Sequence, residues 1–331
     1  MIFNISTKKD SLDQKLFKGG PLKVENNIVI AKGRLHSYVK YKYLMLMLLP
    51  ALVYYIVFHY VPIYGLLIAF KDFKFIEGIW ASPWVGFEHF KDLFALGSFW
   101  EVLRNTIIIS IYKLIWGFPA PIILSLLLNE IYNVHFKKVI QTISYLPHFL
   151  SWVILGGIFL QVLSPSTGPI NMILRYFKLE PVFFMANPRW FRSILVTTGI
   201  WKSVGWGSVI YIASLAAINP ELYEACTIDG ANRFQKALHV SIPSLIPVIS
   251  IMLIFAVGGV INDDFDQVFN MYNEAVYKVA DVLSTYIYRV GLESMQFERA
   301  TAVGLFKNVI AFTLISVANS ITKKINEYGI W

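Results

Sequence analysis

The chain has 331 residues, of which 56% are hydrophobic and only 15% are charged, and its mean hydropathy is +0.57. A soluble domain carries about 25% charged residues, so this composition is typical of a membrane protein. The net charge is +8, and Cys226 is the only cysteine. A single cysteine excludes an intramolecular disulfide and a thiolate-rich metal site.

The first 43 residues are polar and basic, with nine Lys or Arg and three Asp or Glu. The first apolar run begins near Leu44 and continues for more than twenty residues. A secretory signal has a shorter and earlier apolar region that ends in a cleavage site, so we expect this segment to be retained as a span. The basic tail suits the anionic inner leaflet of a membrane and requires no nucleic-acid partner.

Six segments are long and apolar enough to cross the lipid as helices, which takes about 20 residues each. They are Leu44–Phe70, Thr106–Asn129, Val139–Leu163, Ser193–Ile218, Ser244–Asn262 and Thr301–Ile321. An even number of spans puts both termini on one side of the membrane. Lys40 and Lys42 beside the first span indicate the cytoplasmic side. The sequence therefore predicts an all-α integral membrane fold of six transmembrane helices with cytoplasmic termini.

The polar segment 219–243, between the fourth and fifth spans, has the pattern of two short helices joined by a turn. Asn219 is a good N-cap, and Pro220 suits the first helical position. Gly230 follows Asp229 and can end the first helix, because glycine adopts the left-handed conformation without steric penalty. Asn232 can then cap a second helix, and Pro243 marks the start of the next span.

Residues 219–243 resemble the EAA loop of type I ABC-importer permeases, and we name them the coupling loop. Its matching residues are Glu224-Ala225-Cys226, Asp229-Gly230-Ala231 and Val240-Ser241-Ile242-Pro243. The resemblance implies that this loop docks into a groove of a cytoplasmic ATPase subunit and couples ATP hydrolysis to the spans. The residues implied in coupling are Glu224, Ala225, Asp229, Gly230, Ala231 and Pro243. Cys226 replaces the second alanine of the motif, and Ala237 stands where an aromatic residue is common. From composition alone, the same loop could be a solvated connector.

Further motifs from about residue 40 to Trp331 resemble the carbohydrate branch of this family, the polysaccharide-type permeases related to lipoprotein-linked oligosaccharide importers. They include Leu48-Leu49-Pro50-Ala51, Phe58-His59-Tyr60-Val61-Pro62, Gly117-Phe118-Pro119, Tyr145-Leu146-Pro147-His148-Phe149 and Val303-Gly304-Leu305-Phe306. This branch implies alternating access for a sugar, with the pathway between this chain and a second, homologous permease. Two ATPase subunits and an extracytoplasmic solute-binding protein complete the assembly that it implies.

The resemblance also implies a division of the chain by residue range. Residues 1–43 form the cytoplasmic tail, and 44–102 form the first span with its outer segment. Residues 103–322 form the type I ABC transmembrane core, and 323–331 form the cytoplasmic C-terminus.

The sequence contains no phosphate-binding loop of the form GxxxxGK[ST] and no recognisable catalytic motif. Since such a loop is the usual cradle for nucleotide phosphates, we expect ATP and Mg²⁺ to bind the partner ATPase and this chain to be neither an enzyme nor a cofactor protein. No catalytic or metal-binding residue is assigned.

Three lysines lie within predicted spans, where a charge is expensive and usually faces a cavity or a partner. Lys113 and Lys307 are about six or seven residues from the outer ends of their spans. For these two we favour outward snorkelling of the ammonium group with no substrate role.

Lys202 lies deeper, in a segment that also contains Trp201, Gly205 and Trp206. Tryptophan faces can stack on sugar rings, and glycine leaves room beside a pathway, so these four residues are candidates for the substrate pathway. Cationic residues there would suit an acidic sugar. Close helix packing, which small residues commonly provide in membranes, explains the glycine equally well.

The segment Asp263-Asp264-Phe265-Asp266, followed by Tyr272-Asn273, is acidic and aromatic. It could meet the solute-binding protein or shape the outer end of the pathway, but we favour an ordinary solvated loop.

Three other functions remain open at this point. They are a permease for a non-sugar solute, a secondary transporter and a membrane-embedded enzyme. A secondary transporter normally has more spans or inverted repeats, and the enzyme would lack a catalytic constellation. Neighbouring genes for a second permease and a lipoprotein would favour the importer.

Overall fold

The computed structural model describes residues 41–326, so the expectations for residues 1–40 and 327–331 lie outside the described part. The regular elements in the described part are helices, and one isolated bridge pairs Lys71 with Trp84. The chain divides into two units, residues 1–64 and 65–331. The described part of the first unit is the N-terminal portion of the first helix.

Thirteen helices can be followed along the described residues, and several contain a π or 3-10 turn. They are α1 (Lys42–Phe70), α2 (Glu88–Ala95), α3 (Gly97–Asn129), α4 (Val134–Phe149), α5 (Trp152–Val162), α6 (Pro169–Tyr176), α7 (Pro188–Ala216), α8 (Pro220–Ile228), α9 (Arg233–Ile261), α10 (Phe265–Met271), α11 (Tyr277–Ala280), α12 (Leu283–Tyr288) and α13 (Phe297–Asn326). Single turns at Gly78–Ala81, Phe184–Ala186, Glu274–Val276 and Arg289–Glu293 lie between them.

Four of these helices, α1, α3, α9 and α13, are long and apolar enough to cross a membrane. The bent pair α4 and α5 would make a fifth span, with an angle of 104° between its halves. This pair covers the predicted third span, and the break follows Pro147 in a 3-10 turn. The predicted first, second and sixth spans correspond to α1, α3 and α13, each of which extends into polar residues beyond its apolar window.

The predicted fourth span corresponds to α7, which has 29 residues but is not among the four apolar helices. Its length, about 44 Å at 1.5 Å per residue, is ample for a crossing. Three cationic residues lie along this helix and lower its average hydrophobicity below that of the four apolar helices. They are Arg189, Arg192 and Lys202.

The predicted fifth span corresponds to α9, but the expected boundary between the coupling loop's second helix and this span is absent. The second short helix of the coupling loop does not stop before this span but continues into it, so α9 runs from Arg233 to Ile261. The turn Ala237–Ser241 is a π turn that directly precedes Pro243. A π turn changes the hydrogen-bond register of a helix, and this allows a residue without an N–H group to follow in a continuous helix.

Helix α7 packs closely on its neighbours through small residues. A Cβ atom added at Gly205 would lie 2.0 Å from the Ser144 carbonyl oxygen on α4, and one added at Gly207 would lie 3.0 Å from Pro121 on α3. The largest apolar core lies beside the N-terminal half of α7, where Phe191 and Leu195 are fully buried among residues of α5 and α10. This packing fixes the positions of the helices that surround the site described next.

Candidate functional site

The coupling loop folds through the local capping interactions that its sequence predicts. The Asn219 side chain accepts a hydrogen bond from the Glu221 N–H at 3.1 Å, and Pro220 opens α8. Gly230 follows α8 with a φ of +78°, the left-handed region that favours glycine. Asn232 and Gln235 form a reciprocal capping box at the start of α9, with bonds of 2.8 and 2.9 Å.

The coupling loop presents apolar side chains to its surroundings. Ile228 is 87% exposed and Phe234 is 75% exposed. Glu224, Ala225 and Asp229 are exposed as well. Exposed apolar groups rimmed by polar ones are typical of a protein-docking surface. The predicted coupling residues from 224 to 231 therefore lie together on this surface.

Two side-chain bonds hold the loop against α9. The hydroxyl of Tyr223 lies 2.8 Å from that of Ser241, and the Lys236 ammonium donates to the Thr227 hydroxyl at 2.7 Å. Pro243, the sixth predicted coupling residue, is separated from the others because it lies within α9.

A cavity of about 660 Å³ lies among α3, α7, α9 and the segment that follows α9. Lys202 of α7 and Lys113 of α3 line this cavity. The Lys202 ammonium donates to the backbone carbonyl of Leu150 and lies 5.0 Å from the centre of the Trp152 ring. Neither of these partners is a carboxylate.

Of the four predicted pathway residues, only Lys202 lines this cavity. Trp201 and Trp206 are about half exposed, at 48% and 49%, on other faces of α7. Trp206 stacks on His148 with ring centres 4.8 Å apart, and His148 does line the cavity. Gly205 packs against α4, as the alternative of close helix packing predicts. The pathway role of these residues stays a prediction.

A polar cluster of five residues lies beside the cavity, at the end of α9 opposite the coupling loop. Its members are Lys113, Asp263, Asp264, Gln267 and Lys307. The Lys307 ammonium lies 2.8 Å from the Asp263 carboxylate, whose side chain is only 2% exposed. Asp263 also accepts from the Ser284 backbone N–H at 3.0 Å and from the Ser284 hydroxyl.

The other members of the polar cluster connect several helices. Asp264 accepts from the indole N–H of Trp152 at 3.1 Å and from the Gln267 N–H at 3.3 Å. The Gln267 side-chain oxygen accepts from Lys113 at 2.5 Å.

Two expectations from the sequence are wrong here. Lys307 does not snorkel outward, because it forms a largely buried ion pair with Asp263. Lys113 does not snorkel either, because its ammonium binds Gln267 and lines the cavity. The acidic segment after α9 is likewise not a solvated loop at Asp263. An intramembrane lysine usually has a partner. The aspartates at 263 and 264, just after the predicted fifth span, were the sequence signal that a partner for Lys307 was available.

A second ion pair stabilises the segment between α9 and α13. The Arg289 guanidinium lies 2.5 Å from the Asp281 carboxylate. The guanidinium donates hydrogen bonds to both oxygens of this carboxylate, and these bonds raise the pKa of Arg289 above its usual value. Burial, together with a hydrogen bond to Tyr277, raises the pKa of the Tyr272 hydroxyl. Arg289 is therefore charged and the Tyr272 hydroxyl is neutral at neutral pH.

The long apolar helices, the polar cavity and the exposed coupling loop are the features expected of a membrane-embedded transport permease. Residues 117–264 match the family of binding-protein-dependent transport system inner membrane components. The chain belongs to this family. The matched range begins and ends at cavity-lining residues and includes the whole coupling loop.

The chain is similar over most of its length to two proteins of Bacillus subtilis (strain 168). It is 41% identical to Protein LplB over 290 residues, which cover 88% of this chain and 91% of that protein. It is 39% identical to the polygalacturonan/rhamnogalacturonan transport system permease protein YteP over 300 residues, which cover 91% of this chain and 94% of that protein.

Solved structures agree with this likeness. A chain of a bacterial ABC transporter involved in the import of the acidic polysaccharide alginate matches with a TM-score of 0.82 and 38% identity, over 88% of this chain and 99% of that one. A chain from the bacterial alginate ABC transporter in complex with alginate pentasaccharide-bound periplasmic protein matches with a TM-score of 0.83, also at 38% identity, over 89% of this chain and 99% of that one.

Proposed function

We propose that this chain is one permease subunit of an ATP-driven importer for oligo- or polysaccharides that carry carboxylate groups. The observation that carries the proposal is its identity of 38 to 41% with protein LplB, the permease YteP and the alginate transporter chain along about nine-tenths of its length. Polygalacturonan is a polymer of uronic acids, and alginate is named as an acidic polysaccharide. A chain this similar is expected to carry a related sugar.

The cavity supports this substrate class. Lys113 and Lys202 place two cations on its wall, and cationic groups attract carboxylates most strongly where water is scarce. Trp152 also lines the cavity, and its buried ring lies under the Lys202 ammonium and helps to position that cation. A second permease would complete the pathway on the open side of this cavity.

The coupling loop is the proposed contact with an ATPase subunit. Its exposed apolar residues support docking, and its connection to α9 without a break supports transmission of movement to the spans. In the proposed cycle, a solute-binding protein delivers the sugar, two ATPase subunits bind and hydrolyse ATP, and the two permeases alternate between outward and inward openings.

The test is ATPase activity and sugar uptake by the whole complex reconstituted in liposomes, with and without the solute-binding protein loaded with an oligogalacturonate. Two variants target the loop. Glu224→Ala removes an exposed side chain, and Gly230→Pro imposes a φ near −65° where the chain has +78°. We expect both complexes to assemble and to lose stimulation of ATP hydrolysis by the loaded binding protein.

A matched control is Glu180→Ala, because Glu180 is equally exposed but lies outside the coupling loop. Stimulation that persists in assembled loop variants would reduce the loop to a connector. If the wild-type complex imports a non-sugar solute and no sugar, the proposed substrate class is wrong.

A further inference from the structure

The three lysines near the cavity differ in the group that accepts their hydrogen bonds. Lys307 binds the Asp263 carboxylate at 2.8 Å, whereas Lys113 binds the neutral amide of Gln267 at 2.5 Å. Lys202 binds a backbone carbonyl. Within residues 41–326, no carboxylate lies within ion-pair distance of Lys113 or Lys202. A carboxylate in contact therefore compensates the charge of Lys307, whereas Lys113 and Lys202 contact only neutral acceptors.

The amide of Gln267 is fixed in one orientation by its partners. Its nitrogen donates to the Leu195 carbonyl oxygen at 2.7 Å and to the Thr198 hydroxyl at 3.0 Å. Because a carbonyl oxygen can only accept, the nitrogen must face Leu195, and the amide oxygen must face Lys113. Gln267 is fully buried. Its side chain is therefore a rigid acceptor aimed at the lysine.

An amide oxygen and a carboxylate oxygen have different consequences for a cation. Either can accept a hydrogen bond from an ammonium group, but only the carboxylate neutralises its charge. Glutamate has nearly the same shape as glutamine, so the site could have held a compensating charge without changing its packing volume. An uncompensated charge inside a membrane protein usually has a functional use.

We propose that Gln267 determines the charge specificity of the cavity, because it positions Lys113 through a neutral amide and leaves the lysine charge for a carboxylate of the substrate. This inference rests on the proposed transport of acidic sugars. Gln267 is a positioning residue, and Lys113 is the group that contacts the substrate.

The remaining donors of Lys113 make this contact possible. An ammonium group has three N–H donors, and within residues 41–326 the Lys113 ammonium donates one hydrogen bond, to Gln267. The carboxylate of Asp264 also lines this wall and lies beyond ion-pair distance of Lys113. Its two oxygens accept from Trp152 and from the Gln267 backbone, and its charge acts on Lys113 through space without a hydrogen bond.

The experiment measures uptake and stimulated ATP hydrolysis by the reconstituted complex with two probes. One probe is an oligogalacturonate, and the other is the same oligosaccharide with its carboxyl groups methyl-esterified. The measured quantity is the ratio of the apparent KM values for the two probes. We expect Gln267→Glu to raise KM for the acidic probe by about tenfold, the effect of roughly one charge-assisted hydrogen bond, and to leave the esterified probe nearly unchanged.

A carboxylate oxygen at position 267 cannot donate to the Leu195 carbonyl oxygen, so Gln267→Glu could disturb folding. A second variant therefore keeps the test informative. Lys113→Met removes the charge directly and should shift the ratio in the same direction. The matched control is the double variant Asp263→Leu with Lys307→Met. It removes a lysine together with the carboxylate that compensates it, so the net charge around the cavity stays the same and the ratio should stay unchanged.

The outcomes separate this inference from the proposed function. An unchanged ratio in both assembled cavity variants overturns the role of Gln267. A wild-type complex that imports both probes with equal KM values also overturns it but retains sugar import. A wild-type complex that imports neither probe overturns the proposed function and this inference together.

Discussion

The coupling loop and the polar cluster lie near the two ends of α9 and are stabilised in opposite ways. The loop is exposed and is held by contacts between residues close in sequence, such as the capping box of Asn232 and Gln235. The polar cluster is buried and joins residues far apart in sequence, such as Lys113 and Gln267, which are 154 positions apart. This contrast teaches that a change in the cluster should alter folding and substrate binding together, whereas a change in the loop should alter coupling alone.

The strongest test of this contrast breaks the buried ion pair. Asp263→Ala leaves Lys307 without its counterion in a site where the aspartate side chain was 2% exposed. Removing one partner of a buried pair destabilises a protein by about 3–5 kcal/mol. We expect a large fall in the melting temperature of the detergent-solubilised complex, measured by size-exclusion chromatography after heating.

The control for that change removes both charges at once. Asp263→Leu combined with Lys307→Met should recover much of the lost stability, because no unpaired charge then remains buried. A double variant as unstable as Asp263→Ala would contradict the assignment of the loss to the ion pair.

A smaller effect is expected where α7 approaches α4. Gly205→Ala would place a Cβ atom 2.0 Å from the Ser144 carbonyl oxygen, and such overpacking costs about 1–3 kcal/mol. The same thermal assay should show a moderate loss of stability. Gly157→Ala is the matched control on α5, because a Cβ atom there meets nothing within 4 Å. Equal melting temperatures for the two variants would mean that α4 moves to accept the methyl group.

The smallest effect is expected in the coupling loop. Asn219→Ala removes the cap of α8, the hydrogen bond to the Glu221 N–H at 3.1 Å, which typically stabilises a helix by about 1 kcal/mol. The melting temperature of the complex should stay nearly constant. Hydrogen exchange of the α8 amides should become faster, and stimulation of the ATPase should fall. A fall in melting temperature as large as that of Asp263→Ala would remove the contrast between the two regions.

The sequence predicts the coupling loop well because capping depends on neighbouring residues. Asn219, Gly230 and Asn232 have the predicted roles, since each acts on amides within a few positions of itself. The exception is the end of the second helix. Pro243 predicts a boundary there, but the π turn before it keeps the helix continuous.

The acids after α9 are visible in the sequence as possible partners of the intramembrane lysines, but which groups pair depends on tertiary packing. The distance of Lys307 from the end of its span is visible in the sequence, but the approach of Asp263 depends on how α9 and α13 pack. The side that α7 turns toward the cavity is also set by tertiary packing, which is why Lys202 lines the cavity and Trp201 does not. The six-span, all-α expectation and the family resemblance did not depend on such contacts. The family resemblance and the all-α permease fold are confirmed. Four helices, or five with the bent pair, meet the length and apolarity of a span among the described residues, and the cytoplasmic side of the termini stays a prediction.

The continuity of α9 has a mechanical consequence. Its 29 residues from Arg233 to Ile261 form one continuous helix about 44 Å long at 1.5 Å per residue. The exposed coupling loop lies at one end of this helix, and Asp263 lies just beyond the other end. A tilt imposed on Phe234 by a docked partner swings the far end through the same angle. Because Asp263 binds Lys307 on α13, that swing pulls on a second helix. Helix α9 thus connects the proposed docking surface to the cavity wall that is proposed to hold the sugar.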